Sequence, residues 1–448
     1  MAGPSAAEGW SSRFGFLMAS IGFAVGLGNI WRFPYVTGEN GGSAFVLVYL
    51  VCVFVIGVPI LMAEVLLGRR GASTPPGSFA NLSRHVGGSE LWAGVGYLNL
   101  ATAFLIVVAY GVVAGWVIYY FVQAIGGGFA GLTTTASIDL FSSLTADSGS
   151  MMFWALVAMA VAGLIIAGGV RKGIERAVTI LMPLLFLLLV GLAIFNVFAG
   201  GMSETLAYLF APDFSKLSGS VFLAAVGQAF FSIGVAMAGM MMFGAYLPSN
   251  VSIASSAFII VIADTLVALL AGLVIFPFVF VNGLDPAGGT GLIFQTLPVA
   301  FSQVPGGAVI AVLFFLLLSV AAVTSIVGLV EPLVAWLTER FGLARVTATA
   351  AVVGASLTGG IVSALSYNTW SSVSFGALSL GEWIDFIPNQ IMLPLGGLLI
   401  AIFIAWALPR NESLQELGLS QAAFRVWYTL LKYVAGPSVL IILVTGLA

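Results

Sequence analysis

The feature that most limits what this chain can fold into is a succession of apolar runs. Each is near or above the roughly 20 residues that a helix needs to cross a bilayer. We read eleven, over residues 13–37, 42–69, 90–124, 151–169, 174–199, 218–245, 250–281, 305–340, 346–365, 383–408 and 421–445. In hydrocarbon every backbone polar group must be satisfied inside the protein, so runs of this length become helices. The composition agrees: 60% of the 448 residues are hydrophobic and only 7% charged, which excludes a soluble globular chain. Several runs exceed 25 residues, as tilted or protruding helices do. A lone cysteine, Cys52, excludes a disulfide scaffold and a cysteine metal cluster. The single histidine, His85, lies in a polar loop and reads as a surface residue. So few basic residues also exclude nucleic-acid binding.

The placement of charge orients the runs. With the N-terminus inside, all Lys and Arg except Arg32 and Lys216 fall at cytoplasmic ends or loops, as the positive-inside rule requires. An odd number of spans then leaves the C-terminus outside. Met1 to Ser12 is polar, and no small-residue cleavage pattern follows the first run, so no signal peptide is expected. The external connections, residues 126–150, 282–303 and 366–381, read as polar, Gly-, Ser- and Thr-rich loops. The Asn-x-Ser/Thr acceptors at Asn81, Asn250 and Asn411 all fall on the cytoplasmic side, which favours a prokaryotic cytoplasmic membrane.

The first run is abnormal for a membrane helix. Gly22-Phe23-Ala24-Val25-Gly26-Leu27-Gly28-Asn29-Ile30-Trp31-Arg32-Phe33-Pro34 holds three glycines, an asparagine, an arginine and a proline. Glycine inside a helix costs roughly 1 kcal/mol, and proline removes a donor. We read a break near Val25 to Gly28 that bares carbonyls for a cation and amides for an anion. A glycine-rich packing face that stays helical is the alternative, but it leaves Asn29 and Arg32 unexplained. A second interruption, Phe231 to Gly239, lies in the sixth run. Paired interruptions one five-helix unit apart point to a transporter site between inverted repeats. Other intramembrane polar residues, Asp264, Thr324 and Ser325, are candidates by cost alone; for the last two, helix–helix hydrogen bonding is the more ordinary role on the residues alone.

Ala24 to Asn29, then Arg32-Phe33-Pro34 and Glu39-Asn40-Gly41-Gly42, resemble the first-helix signature of the neurotransmitter:sodium symporter family. Further matches run through most of the chain. The resemblance implies an all-α polytopic fold of about 11 transmembrane helices. That fold is a 5+5 inverted repeat (LeuT-type) with broken first and sixth helices and one peripheral helix. Residues 1–12 would be a cytoplasmic tail and 13–408 the core, with repeats over about 13–199 and 218–408. Residues 409–448 would be a cytoplasmic loop and the peripheral eleventh helix. No internal repeat is visible in the sequence itself.

The resemblance also implies a site. One sodium would sit on the Ala24 carbonyl, Asn29, Ser232, Asp264 and a substrate carboxylate oxygen. A second would sit on the carbonyls of Gly22, Val25 and Ala321 and the hydroxyls of Thr324 and Ser325. The amides around Leu27 and Gly28, with the Tyr110 hydroxyl, would hold the carboxylate; carbonyls near Ala24, Phe231 and Ser232 would hold the ammonium. Ile106, Tyr110, Phe231, Gly234, Met237, Ser325 and Leu329 would line the side-chain pocket. Monoamine-transporting relatives carry an aspartate at the position of Gly26, so here the substrate should bring its own carboxylate. Gly234 stands where a small hydroxyl residue is usual and is expected to leave space, with the flexible Met237 adapting to different shapes.

Arg32 and Asp385 would close the outer side above a lid of Tyr110 and Phe231, while Trp10, Tyr246 and Glu339 match inner-gate positions. The inner-gate arginine is replaced by Ala7, so Arg13 or a backbone group substitutes, or that gate is weaker. Glu64 would accept hydrogen bonds from the broken helices. Gly173 and Pro183 resemble a pattern that lets the fifth helix unwind; a static kink is the alternative. Chloride-dependent relatives have a neutral asparagine at Asp264; Tyr49, Gln228 and Ser232 resemble other parts of their anion site, and some chloride-independent relatives place a carboxylate one turn on, at Ala268. Asp264 would replace the anion and also take a proton on the empty return leg, so no chloride is expected.

The expected function is sodium-coupled symport of neutral, mainly hydrophobic L-amino acids by alternating access, with two sodium ions and no enzyme activity. Proton coupling through Asp264 and a non-transporting sensor or channel are the alternatives. A channel needs a continuous polar pore, and an intramembrane enzyme needs a nucleophile–base or metal motif; neither pattern is present. The partners implied are the small substrate and the bilayer, with oligomeric state left open.

Overall fold

The computed structural model describes residues 9–283, 285, 286, 289 and 291–447. Among them nine uninterrupted helices are long and apolar enough to cross a membrane: Ser43–Gly71, Glu90–Ile125, Ser148–Ala167, Val170–Ala199, Ile253–Val281, Gly307–Phe341, Arg345–Ser366, Leu380–Ala407 and Gln421–Gly446. They coincide with the second to fifth and seventh to eleventh apolar runs, with ends shifted by a few residues. The first run is a bent pair, Arg13–Ala24 and Gly28–Glu39, meeting at 48°. The sixth is Gly219–Ile233 followed by Gly239–Ala245. The chain is therefore an all-α polytopic membrane protein with interrupted first and sixth spans.

Each break has a local cause. Val25 leaves the helix in an extended conformation, φ −74° and ψ 95°, and Gly28–Arg32 resumes as a π-turn. In the sixth span Gly234 (φ +73°) ends the outer half, and Ala236 (φ +62°) and Ala238 (φ +63°) follow before the inner half begins. Alanine in the left-handed region costs roughly 1–2 kcal/mol per residue. Strain of this kind persists only where the surroundings impose it. Glu64 of the second span supplies part of that constraint: its buried carboxylate accepts the Ala236 N–H at 2.9 Å.

The eighth and second spans are the most enclosed, with 72% and 67% of their apolar windows buried, against 22% for the eleventh. The broken spans pack against that enclosed pair, and the eleventh helix lies on the flank. It is tied to the second span by the Trp427 indole N–H, which donates to the Pro59 carbonyl at 3.2 Å.

The connections expected outside are more structured than their composition indicates. Residues 126–150 include the helix Thr134–Ala146, residues 282–303 include a π-turn Leu292–Thr296 and a helix Leu297–Gln303, and residues 366–381 form a two-stranded hairpin, Ser374–Phe375 with Leu378–Ser379. These elements are too short or too polar to register as apolar runs. The π-turn is held by burial on the bundle, where Phe294 packs on Trp31, Trp116, Tyr120 and Phe141 at ring separations of 5.1–5.8 Å, whereas the hairpin is largely exposed.

Candidate binding site at the helix breaks

The two breaks face one another. The Gln228 amide donates to the Gly28 carbonyl at 2.9 Å. The Phe231 ring lies 3.0 Å from where a Cβ on Gly28 would stand, so a larger residue there would have to push the ring aside. Between the breaks is a cavity of about 30 Å³. The first span contributes Phe23, Ala24, Gly26, Leu27 and Gly28, and the third Ile106 and Tyr110; the sixth adds Phe231, Gly234 and Met237, and the eighth Ser325 and Leu329. Every residue expected to hold substrate lies on this wall except Ser232, which turns behind it. Phe23 and Gly26 are additions.

One end of the cavity is polar. The Leu27 amide, freed by the break, donates to the Tyr110 hydroxyl at 3.2 Å, and the Ser325 hydroxyl donates to the Phe23 carbonyl at 3.3 Å. A Cβ on Gly26 would come within 2.4 Å of Ser325 Oγ and 3.1 Å of the Tyr110 hydroxyl. Any larger residue at Gly26 therefore displaces one of these groups. Gly234 does not leave the space expected of it. A Cβ there would meet the Phe23 ring at 3.1 Å, and φ is +73°, so the residue serves the turn and Phe23 fills the room.

Behind the wall lies a polar cluster buried from solvent. The Asn29 Nδ2 donates to Ser232 Oγ (2.9 Å), Asp264 Oδ1 (2.8 Å) and the Asp264 carbonyl (3.1 Å), and Ser232 Oγ donates to Asp264 Oδ2 (2.6 Å). Tyr49 adds its hydroxyl 3.4 Å from Ser232 Oγ. Among the described residues the carbonyls of Gly22, Ala24 and Val25 accept no hydrogen bond. Gly22 also abuts the eighth span: a Cβ on it would stand 3.3 Å from Thr324 Cβ. The Thr324 hydroxyl donates to the carbonyls of Val320 and Ala321 at 3.0 and 3.1 Å. Free carbonyls, hydroxyls, an amide and one carboxylate form the oxygen-rich surroundings that a hard cation requires.

The sequence matches the model of the sodium:neurotransmitter symporter family over residues 7–137 and 131–448. The chain belongs to that family. The symporter is 33% identical to an uncharacterized sodium-dependent transporter of Haemophilus influenzae, over 98% of each chain. It is 34% identical to the uncharacterized sodium-dependent transporter YhdH of Bacillus subtilis, over 97% of this chain and 96% of that one. Its fold matches the crystal structure of MhsT in complex with L-phenylalanine, with a TM-score of 0.91 and 39% identity, covering 98% of this chain and 99% of that one. It is thus a sodium-dependent transporter and not an enzyme.

On the outer side the symporter keeps the two expected gate charges apart. Among the described residues no ion pair within 4.0 Å includes Arg32 or Asp385. The Arg32 guanidinium lies 4.5 Å above the Phe231 ring, and Asp385 accepts from the Asn389 amide one helical turn on at 2.6 Å. Asp385 also borders an open cavity of about 500 Å³ with Tyr367, Glu382 and Phe386.

On the inner side Trp10 packs on Phe16, Phe243 and Tyr246, and its indole N–H donates to the Phe243 carbonyl at 3.0 Å. Glu339 is not gathered there. It accepts from Ser73 Oγ (2.7 Å) and from the Thr74 amide and hydroxyl (both 3.2 Å). Tyr246 donates instead to Glu331, at 2.8 Å, and Glu331 pairs with Arg345. Arg13 reaches the Ser255 hydroxyl (2.7 Å), and Arg171 donates to the Gly9 carbonyl (2.6 Å). Ala7 lies outside the described residues.

Glu175, Glu331 and Arg345 escaped the sequence reading. Glu175 stands in the charged stretch Arg171 to Arg176, where a buried carboxylate leaves no trace. In the structure it is 5% exposed and accepts from Ser11 N (2.9 Å), Ser11 Oγ (2.6 Å) and Ser12 Oγ (3.0 Å). Glu331 was detectable, because a carboxylate inside an apolar run is costly and therefore conspicuous. Gly173 lies in the π-turn Val170–Glu175, pressed on the Ile165 carbonyl so closely that a Cβ would stand 2.0 Å from it, and Pro183 is inside the helix Arg176–Ala199.

Proposed function

We propose that this symporter couples the inward movement of sodium to uptake of a neutral, mainly hydrophobic L-amino acid across the cytoplasmic membrane, by alternating access with its N-terminus inside. The observation that carries the reading is the cavity at the breaks. Its polar end offers the Leu27 amide, the Gly28 backbone and the Tyr110 hydroxyl to a carboxylate. The remainder, Ile106, Phe231, Met237 and Leu329, offers only apolar surface. No acidic side chain stands in for a missing carboxylate, since Gly26 is closed off by Ser325. The phenylalanine in the MhsT complex supports the same substrate class. A cavity of about 30 Å³ is small for such a ligand, so binding is accompanied by movement of Phe231 and Met237.

Two sodium ions travel as co-substrates. The first is held by the Ala24 carbonyl, Asn29, Ser232, Asp264 and the substrate carboxylate. To present Oδ1 to the ion, the Asn29 amide turns over, exchanging its donor for its acceptor. The second is held by the carbonyls of Gly22, Val25 and Ala321 with Thr324 and Ser325. Asp264 supplies the negative charge beside the first ion, making chloride unnecessary. Arg32 and Asp385 come together when the outer side closes, and the fifth span loosens around Gly173 and Pro183 when the inner side opens.

The test is amino-acid uptake into proteoliposomes with sodium replaced by potassium at fixed pH. Uptake should collapse without sodium and persist when gluconate replaces chloride, while Asp264→Asn should lose activity or acquire chloride stimulation. Uptake driven by a proton gradient alone, or a parent protein that needs chloride, would reject the scheme.

A further inference from the structure

The cytoplasmic ends of the tenth and eleventh spans carry a cluster that transport does not use. Lys432 sits within the apolar run of the eleventh helix, and its ammonium is 4.5 Å from the Trp406 ring centre, 5.5 Å from Tyr433 and 5.9 Å from Tyr428. Arg410 lies over the same Tyr428 ring at 4.3 Å, and Tyr428 donates to the Ala405 carbonyl, which fixes the ring between the two helices. Arg425 is seven residues before Lys432, about 10 Å along the helix.

Among the described residues, some cations at the same membrane face have carboxylate partners, and these three do not. Arg69 pairs with Glu416, Arg70 with Glu412, and Arg345 with Glu331. Among the described residues no carboxylate lies within 4.0 Å of Arg410, Arg425 or Lys432. The acidic residues nearest in sequence, Glu412 and Glu416, are taken by the second span. Two of the rings around Lys432, Trp406 and Tyr433, are 56% and 63% exposed, on the flank of the least enclosed helix.

From this arrangement we infer a binding site for the anionic phosphodiester headgroup of a phospholipid in the cytoplasmic leaflet. An ammonium at the edge of the hydrocarbon is poorly hydrated, and ring faces satisfy only part of its field. A phosphate seated between Lys432 and Arg410 completes it, with Arg425 attracting the headgroup and the exposed rings lying along the glycerol and upper acyl chain. A phospholipid fits better than free phosphate because the exposed rings face the bilayer, where the anion must bring an apolar body.

Trp406 is a reporter within the site. The full chain is reconstituted in nanodiscs of phosphatidylcholine, and brominated phosphatidylglycerol or brominated phosphatidylcholine is titrated in. The Trp406 signal is isolated by subtracting a Trp406→Phe protein. The acidic lipid should quench Trp406 at lower mole fraction than the neutral one. Lys432→Gln and Arg410→Gln should each weaken that preference about fivefold, and Lys432→Arg should retain it. Equal quenching of the parent protein by both lipids would overturn the site. Inorganic phosphate that abolishes the preference at constant ionic strength would overturn the lipid as ligand. Should the charge-removing variants fail to fold, the parent titrations decide alone.

Discussion

The two sides of the binding cavity are closed by different means. On the Trp10 side the chain packs rings edge to face in depth: Phe23 on Phe243, Phe243 on Trp10, and Trp10 on Phe16 and Tyr246, at 5.3–6.3 Å. Two buried carboxylates bind this plug to its frame, Glu331 through Tyr246 and Arg345, and Glu175 through Ser11 and Ser12. Outward of it the cover is essentially one ring, Phe231, with Arg32 above it and an open cavity beyond. Both sides use aromatic surface, but only the inner one commits desolvated charge. A buried charge that loses its partner is penalised heavily, so the inner closure resists partial opening and the outer one yields gradually. In this structure the side at Trp10 is closed by rings and buried carboxylates, while Arg32 and Asp385, expected to pair on the other side, stand apart.

Four substitutions test the contrast, in order of decreasing effect. Glu331→Gln leaves the Arg345 guanidinium without its carboxylate, at a cost of about 3–5 kcal/mol. The detergent-solubilised protein should melt several degrees lower. A reporter cysteine introduced by Ala19→Cys, at a position buried in the half-helix Arg13–Ala24, should react faster with a membrane-impermeant thiol reagent added on the Trp10 side; the native Cys52 is buried and contributes little. Unchanged melting and labelling would make the inner seal purely aromatic.

Glu175→Gln keeps the shape but weakens three charge-assisted hydrogen bonds, worth about 1–3 kcal/mol together. Labelling at position 19 should accelerate less than in the Glu331 variant, and added sodium should slow it. Gly234→Ser, at the boundary between the two sides, must adopt a left-handed conformation against Phe23, at about 1–2 kcal/mol. Binding of large hydrophobic ligands, followed by calorimetry, should weaken; tighter binding would restore the view that this position offers free space. Asp385→Ala should leave the melting temperature where it is, since Asp385 is exposed and unpaired with Arg32 here, yet reduce uptake by slowing outer closure. Equal loss of folded protein and uptake would mean that the outer side also depends on buried charge.

Much of the site was legible in advance because its signals are local. A glycine cluster with Asn29 and Arg32 in an apolar run has no comfortable helical form, so the break and its free carbonyls follow from backbone chemistry. The wall residues Ile106, Tyr110, Met237 and Leu329 were legible only by resemblance, since an apolar or aromatic residue on a membrane helix looks the same whether it packs in a core or lines a pocket. Glu339 is a gate residue by resemblance alone; Glu331 lies on the same helix, and spacing along it does not say which carboxylate meets Tyr246. Glu175 was hidden because an acidic residue among basic ones reads as solvated.

The sequence by itself determined that this is a multi-spanning helical membrane protein and where two of its helices must break. Those properties depend on hydrocarbon thickness and on the cost of unsatisfied backbone groups, which act residue by residue along the chain. Only the tertiary structure decided that Phe23 fills the space beside Gly234, that Glu331 meets Tyr246 and Glu175 meets Ser11 and Ser12, and that among the described residues Arg410 and Lys432 have no carboxylate within 4.0 Å. Each of these turns on which side chains meet across helices far apart in sequence, and helical periodicity fixes a face without naming its partner.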